Sequence, residues 1–326
     1  MADFVPTHRP VLGPETIEAL APAPGKLLLD GTVGLGGHAA LWLEASAPDG
    51  RVLGLDRDPD ALAVAAERLA PYGERVTLVH ADYRDAIDVL AARNGAGAGA
   101  GAAGGGAGAA PDAILLDLGL GSHQIDDPER GFSFRFDGPL DMRFDRSRPA
   151  RTAADVLNHT SEPELVRIFS EYGEFPAAKK LARLVVETRK HRKFAVTGDL
   201  VRVAHEAVPP RGHKRIDPST LAFQALRIAV NEELDGLGQT IEDLVRTLAP
   251  GGRIAIIAFH SLEDRVSKQT LRRLAEPCRC RRGDPCTCGA LQLLELSDRR
   301  AVKTTEDEAY ANPRARSARL RWGIRR

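Results

Sequence analysis

A short apolar run that ends in an acid and leads into a glycine-rich turn constrains the fold of this chain most strongly. The run spans Lys26–Asp30, the turn contains Gly34, Gly36 and Gly37, and a helix-compatible segment begins at Ala39. Glycines remove side chains where a ligand must contact the backbone, and they permit positive φ angles. This order predicts the strand–loop–helix unit that holds nucleotide-like ligands at the edge of an open parallel sheet.

The acid at the end of this run, Asp30, indicates what kind of ligand the loop accepts. A carboxylate beside the loop repels the phosphates of a dinucleotide and attracts a cation. The loop nevertheless satisfies the pattern G-x-G-x-x-A through Gly34, Gly36 and Ala39. A nicotinamide-dependent dehydrogenase therefore stays open as an alternative on the pattern alone.

Apolar runs that end near an acid recur through the first third of the chain, with helical patterns between them. Such alternation predicts an α/β fold with a mostly parallel sheet and helices on both faces. Since ligands bind at the carboxyl ends of such strands, the acids mark the predicted site. The predicted parallel strands are Lys26–Asp30, Arg51–Asp56, Val76–Asp82, Ala113–Asp117 and Arg253–His260, and an antiparallel pair near Ala301–Lys303 and Ser317–Ile324 closes the sheet.

The strand pattern is interrupted after Asp117 by a long region with helical stretches and no convincing strand. We therefore predict a sheet domain formed by residues 1–127 and 216–326, with a small helical domain, residues 128–215, inserted into it. Residues 94–110 are almost wholly Gly and Ala. Such a tract buries little surface and loses much backbone entropy on ordering, which predicts a disordered loop within the sheet domain.

Charge and hydropathy patterns restrict the class of protein. The 45 basic and 45 acidic residues cancel, but Lys179–Lys193 and Arg314–Arg326 are strongly basic. Such runs are usually solvated faces, and charge alone leaves an RNA-facing surface as the less favoured interpretation. No apolar run approaches the roughly 18 residues of a membrane span, and Met1–Pro10 lacks the apolar core of a signal peptide. We expect a cytoplasmic protein with no membrane partner.

All four cysteines lie in one short segment, Cys278-x-Cys280-x5-Cys286-x-Cys288. Four thiolates can hold a structural zinc ion in a tetrahedron, although the single residue within each pair is tighter than the usual spacing. A plain reduced loop therefore stays open as the alternative. Disulfides are not expected in the cytosol.

The acids that end the second and fourth strands have specific candidate roles. Asp56 follows Gly36 by 20 residues and can accept hydrogen bonds from both ribose hydroxyls of a nucleoside. Asp58 or Asp60 fits a helix N-cap better than Asp56 does. Asp117 ends the fourth strand beside the expected reaction centre, so a functional role is favoured for it.

At the end of the third run, Asp82 can accept a hydrogen bond from an adenine amino group, and Tyr83 can lie against the ring. An exposed acid and a packing aromatic are the equally weighted alternative. Acids at four successive strand ends favour a nucleoside that carries a sulfonium, such as S-adenosylmethionine, over a dinucleotide. A non-catalytic RNA-binding protein gives no reason for these acids.

Seven motifs occur in one order along the chain, and their combination is specific although each alone is weak. They are Asp30–His38, Asp56–Pro59, Leu115–Gly119, Glu129–Phe134, Gly138–Arg143, Phe259–Arg265 and Asn312–Ser317. In these motifs the chain resembles the ribosomal RNA small subunit methyltransferase H family, the MraW-like bacterial cytosine-N4 methyltransferases. The resemblance extends from about His8 to Leu320.

This resemblance implies a class I S-adenosylmethionine-dependent methyltransferase fold, Rossmann-like, whose inserted helical domain recognises the substrate. It implies methyl transfer to the exocyclic N4 of a cytosine in 16S rRNA near the decoding site, on free rRNA or on the small ribosomal subunit. A methyltransferase with another substrate stays open on spacing alone. The implied cofactor contacts are Gly36, Gly37, His38, Asp56, Tyr83, Asp117 and Gln124. Gly121, Ser122 and His123 stand where the family often has two serines and a proline.

The chemistry of cytosine suggests a role for Asp117. Methylation at C5 needs a cysteine nucleophile near the cofactor, and the cysteines lie far from the motifs in sequence, so attack by the N4 amine fits better. Asp117, or a backbone carbonyl of the loop Asp117–Gln124, is then expected to accept an N4 hydrogen. Asp141 and Arg143 orient the base or a phosphate, or they form a structural ion pair. His260 is expected to be a packed histidine rather than a base.

Overall fold

The structure, a computed structural model of the chain, describes residues 10–96, 110–209, 217–278, 280, 287–298 and 300–326. Most of the predicted Gly/Ala loop, 97–109, lies outside the described residues. The chain divides into two compact units. The sheet unit comprises the described residues up to Gly119 and from Gly236 onward, and the helical unit comprises Leu120–Asp235.

Eight strands of the described residues form one mixed sheet in the order β3-β2-β1-β4-β5-β8-β6, and β7 pairs with β8. The first five strands are mutually parallel, and β8 runs antiparallel to its three neighbours. The mostly parallel sheet and its antiparallel closure were both predicted, and both are confirmed. The strands are β1 Leu27–Asp30, β2 Arg51–Asp56, β3 Val76–His80, β4 Ala113–Asp117, β5 Arg253–Ala258, β6 Leu294–Leu296, β7 Val302–Lys303 and β8 Arg319–Arg325.

The central strands are apolar because both faces of the sheet are covered. All four residues of β1 are buried, as expected for a parallel strand with a neighbour on each side. Trp42 is buried in the core of the sheet unit and donates its indole N–H to the carbonyl of Arg51 at 3.2 Å. The helices of the sheet unit are α1 Gly13–Leu20, α2 Gly37–Ala45, α3 Pro59–Leu69, α4 Ala86–Ala96, α11 Leu237–Thr247, α12 Ser261–Ala275 and α13 Glu306–Ala311.

The third strand ends two residues earlier than predicted. β3 stops at His80, and the predicted terminal acid Asp82 lies beyond it. The carboxylate of Asp82 accepts a hydrogen bond from the backbone N–H of Arg84 at 2.9 Å and caps a short 3-10 helix, Tyr83–Asp85. Aspartate competes with strand pairing through such local bonds, which explains the early end.

The helical unit has its own hydrophobic core, which contains Phe169, Leu181 and Leu226. Its boundaries, Leu120 and Asp235, differ from the predicted 128 and 215. The main difference is that the helix Pro218–Asn231 belongs to the helical unit. The side-chain amide of Gln224 donates to the carbonyl of Tyr172 at 2.9 Å, and the side-chain oxygen of Asn231 accepts the N–H of Phe144 at 2.8 Å. The helices are α5 Ser122–Asp126, α6 Ala153–His159, α7 Glu162–Arg167, α8 Ala178–His191, α9 Thr197–Ala207 and α10 Pro218–Asn231.

None of the helices in the described ranges combines the length and apolar character that a membrane crossing requires.

Candidate active site

Three predicted acids meet at the carboxyl edge of the sheet. Asp56, Asp30 and Asp117 are the last residues of β2, β1 and β4, which are adjacent in that order. Parallel pairing therefore places their carboxylates at the same edge, where open α/β sheets bind ligands.

The glycine loop after β1 is fixed by Asp56. Its Oδ2 accepts the N–H of Gly34 at 2.8 Å and its Oδ1 accepts the N–H of Asp58 at 2.9 Å. Burial raises the pKa of Asp56, while these two N–H groups lower it. Since a carboxylate oxygen has a second lone pair, Asp56 can organise the loop and still accept ribose hydroxyls. Of the two expected cap residues, Asp58 caps α3 and accepts the N–H of Asp60 at 3.0 Å.

The loop needs glycine at Gly36. This residue precedes α2 with φ of 78°, and a Cβ there would lie 3.1 Å from the side chain of Leu69. A left-handed backbone and a packed neighbour both disfavour a larger side chain. Gly37 and His38, which follow it, are the first residues of α2.

His38 lies close to Asp117 and interacts electrostatically with Asp30. Its Nε2 is 3.5 Å from Oδ2 of Asp117, and its side chain is 7% exposed. Within the described part of the chain, neither ring nitrogen of His38 nor Oδ1 of Asp117 has a hydrogen-bond partner, although all three atoms are buried. Buried polar atoms normally have partners, so these atoms indicate a place for a polar ligand.

The pKa of Asp30, the last residue of β1, is shifted far above its usual value. Burial raises its pKa to about 7, and the negative charges of Asp117 and Asp56 act in the same direction. His38 and the N–H of Thr32, which bonds to Asp30 at 3.1 Å, oppose the rise. An acid poised in this way favours a cationic ligand, which offsets the repulsion among the carboxylates.

Asp117 is held by its backbone and remains accessible through its side chain. Its N–H donates to Oγ1 of Thr32 at 2.6 Å, and its side chain is 25% exposed. The contacts implied by the resemblance leave out both Asp30 and Thr32. The acid at the end of the apolar run signalled Asp30 in the sequence, but no local pattern signalled the bond from Asp117 to Thr32.

Two arginines surround Asp82, which follows the third strand, and the predicted contacts of Asp82 and Tyr83 with an adenine stay predictions. The carboxylate of Asp82 receives two bonds from the guanidinium of Arg84, each 3.0 Å, and lies 3.4 Å from Arg57. Although burial raises the pKa of Asp82, these cations hold it below its usual value. Tyr83 is buried, and a Cβ on Gly31 would lie 3.0 Å from its Cβ, so it packs beside the glycine loop.

Two further groups that were singled out in the sequence lie in the helical unit. Gln124 is buried in α5, and its Oε1 accepts the N–H of Gly121 at 3.0 Å. Its contact with a cofactor stays a prediction. Arg143 binds both oxygens of Asp141, at 2.8 and 2.7 Å, which is the structural ion pair offered as an alternative.

His260 caps a helix, in agreement with the expectation of a packed residue. Its backbone N–H and that of Phe259 donate to Oε2 of Glu263 at 3.3 and 3.0 Å, at the start of α12. The imidazole Nε2 lies 2.9 Å from Oε1 of the same glutamate.

Three of the predicted zinc ligands come together, and the fourth is outside the described residues. The Sγ atoms of Cys278, Cys280 and Cys288 lie within 4.8 Å of one another. Cys286 lies outside the described residues.

Sequence comparisons cover nearly the whole chain. The sequence model of the MraW methylase family matches residues 6–326. Ribosomal RNA small subunit methyltransferase H of Symbiobacterium thermophilum is 48% identical over 316 residues, which cover 96% of this chain and 95% of that protein. The protein of the same name from Syntrophotalea carbinolica is 48% identical over 322 residues and 98% of each chain.

Proposed function

The chain belongs to the MraW methylase family, and we propose that it transfers a methyl group from S-adenosylmethionine to the exocyclic N4 of a cytosine in 16S rRNA, near the decoding site. The fold is α/β with a mostly parallel sheet, as predicted, and we assign it to the class I S-adenosylmethionine-dependent methyltransferases. The observation that carries the proposal is that the buried side chains of Asp30 and His38 lie with the half-buried Asp117 beside the glycine loop.

The cofactor assignment follows from the charge and the partners of this cluster. S-adenosylmethionine supplies an electrophilic methyl group on a positively charged sulfur. Asp30 and Asp117 provide negative charge for that cation, and the unpartnered polar atoms of His38 and Asp117 can bind its polar groups. A dehydrogenase is disfavoured because the same carboxylates repel a dinucleotide's pyrophosphate. Gly36, Gly37, Asp56 and Tyr83 complete the set proposed to hold the adenosine.

The choice of N4 over C5 rests on where the cysteines lie. C5 methylation needs a thiolate at the reaction centre, and Cys278 follows the carboxyl end of α12. Helix α12 begins beside the carboxyl edge of β5 and has 15 residues, so it carries the chain about 22 Å before that cysteine. Asp117 instead accepts a hydrogen of the N4 amine, which frees the nitrogen lone pair for attack on the methyl group.

We assign RNA recognition to the helical unit because of the two faces of α8. Leu181 and Val185 are buried in the core of this unit, whereas Lys179, Arg183 and Lys190 are exposed. Basic side chains on one face of a helix neutralise phosphates and bind RNA without reading its sequence. The unpaired target base is then turned out into the pocket, as it is by protein enzymes that modify single-stranded bases. The partner is 16S rRNA, free or within the small subunit.

The decisive experiment incubates the protein with labelled S-adenosylmethionine and small subunits that lack the modification. We expect one labelled N4-methylcytidine when the modified nucleoside is mapped by digestion and mass spectrometry. Label at C5 of cytosine or on another base would contradict the proposed chemistry. Binding of a reduced nicotinamide, followed by its fluorescence, without binding of S-adenosylhomocysteine would restore the dehydrogenase alternative.

A pH dependence is expected from Asp30. Because its pKa in the folded protein is about 7, a cation must displace a proton from it at lower pH. We expect the affinity for S-adenosylmethionine to rise about tenfold between about pH 6 and pH 8. S-adenosylhomocysteine, whose sulfur is neutral, should show a much flatter profile. Calorimetry of both ligands checks this, and equal slopes for both would contradict it.

Asp30→Asn is the matched control for this pH dependence. In this variant the affinity for S-adenosylmethionine should vary much less with pH.

Asp30→Asn should also change how the stability of the ligand-free protein depends on pH. Between the usual pKa of 3.8 and about 7, folded Asp30 holds a proton that the unfolded chain releases, so the unfolding free energy falls as pH rises through that window. Denaturant titrations should show that this fall is smaller in Asp30→Asn.

A further inference from the structure

The described cysteines, Cys278, Cys280 and Cys288, lie toward the edge of the sheet opposite to the proposed active site. Helix α12 starts after the carboxyl end of β5 and runs back toward its amino end. The next strand, β6, pairs Leu294 with Arg325, whose neighbour Ile324 pairs with Arg253, the first residue of β5. Cys278, Cys280 and Cys288 fall between α12 and β6, so their chemistry is separate from that of the acids.

The geometry of the three sulfurs matches a tetrahedral thiolate site. Their Sγ atoms lie within 4.8 Å of one another, and those of Cys278 and Cys288 are 3.6 Å apart. That separation is far longer than the roughly 2.05 Å of a disulfide. Zinc–sulfur bonds of about 2.3 Å in a tetrahedron place two sulfurs about 3.8 Å apart. We propose that Cys278, Cys280 and Cys288 bind one zinc ion as thiolates.

The chemistry of the segment suits this ion. Thiolates are soft ligands that select zinc over magnesium or calcium, which prefer oxygen. Each thiol loses its proton to solvent as its sulfur binds the metal.

A metal here also has a structural task. Residues 287–293 form neither helix nor strand, yet they connect α12 to β6 at the sheet edge. The N–H of Leu293 donates to the carbonyl of Leu274 at 2.9 Å, which fixes the end of this connection next to β6. Zinc would join the residues after α12 to those before β6 and so hold β6 on β8.

The test uses the full chain, purified under reducing conditions from zinc-supplemented cells. We expect about one zinc ion per chain by elemental mass spectrometry. After removal of zinc with a chelator, Co²⁺ should produce intense near-ultraviolet absorption from thiolate-to-metal charge transfer. Zinc below about one-tenth of an ion per chain, together with no such absorption, would overturn the proposal. This measurement needs no variant and so does not depend on a variant's folding.

Two variants at one position identify the ligands. Cys288→Ala should weaken zinc binding by roughly 100-fold in competition with a chromophoric chelator, whereas Cys288→His, which keeps a zinc ligand, should weaken it by less than about tenfold. Both should bind S-adenosylhomocysteine as the unmodified chain does, because the cluster is remote from the acids. Equal zinc affinity in Cys288→Ala and the unmodified chain would overturn the assignment. Since the readout is metal affinity, it stands apart from the proposed methyl transfer.

Discussion

Asp117→Asn is expected to lower kcat for methyl transfer by about 100-fold to 10,000-fold while the protein still binds S-adenosylhomocysteine. Loss of a positioned proton acceptor has effects of this size. Asparagine keeps the shape of the side chain and one carbonyl oxygen, and the backbone bond from residue 117 to Thr32 at 2.6 Å does not involve the carboxylate. The cofactor pocket should therefore persist, and the loss should appear in kcat measured at saturating cofactor and subunits.

Asp112→Asn is the matched control for this substitution. Asp112 directly precedes β4, at the opposite end from Asp117, and its carboxylate binds the side chain of Lys26 and the N–H of Leu27. The variant makes the same chemical change at the remote edge of the sheet, so it should keep its kcat within about twofold. Turnover by Asp117→Asn that equals the control, with cofactor bound, would exclude the proposed role of Asp117.

Local sequence was sufficient to predict which acids lie together at the carboxyl edge of the sheet. Asp30, Asp56 and Asp117 each follow a run of buried residues, and parallel pairing then leaves one arrangement for the three ends. The same rule failed at Asp82, because an aspartate followed by Arg84 has a local alternative to strand pairing. A pattern of apolar residues predicts which segment is buried more reliably than where the strand ends.

Other features depend on residues that are distant in the chain, and no local pattern could predict them. Local sequence does not show which unit the buried face of α10 joins, which is why the predicted boundary at 215 differs from Asp235. The raised pKa of Asp30 depends on burial by other strands. The clustering of four cysteines in one short segment suggested a metal, whereas the 3.6 Å between the Sγ atoms of Cys278 and Cys288 depends on how the chain folds.

Gly131→Ala is expected to destabilise the helical unit by about 2–5 kcal/mol and to abolish most methyl transfer, while S-adenosylhomocysteine still binds. Gly131 has φ of 71°, which costs alanine roughly 1–2 kcal/mol. A Cβ there would lie 2.1 Å from the carbonyl oxygen of Pro139 and 2.9 Å from the N–H of Asp141. Backbone atoms cannot rotate away as side chains do, so this overlap adds roughly 1–3 kcal/mol.

The comparison that isolates the overlap is Gly236→Ala. Gly236 has φ of 69°, almost equal to that of Gly131, but a Cβ on it would meet no atom within 4 Å. Both variants carry the strain of a left-handed backbone, but only Gly131→Ala forces neighbouring backbone atoms to move. Calorimetric unfolding should therefore show a larger loss of unfolding free energy for Gly131→Ala than for Gly236→Ala. Since Gly131 belongs to the unit assigned to RNA recognition and the acids belong to the sheet unit, substrate methylation should fall far more than cofactor affinity. An equal fall of both in Gly131→Ala would contradict the division of labour between the two units.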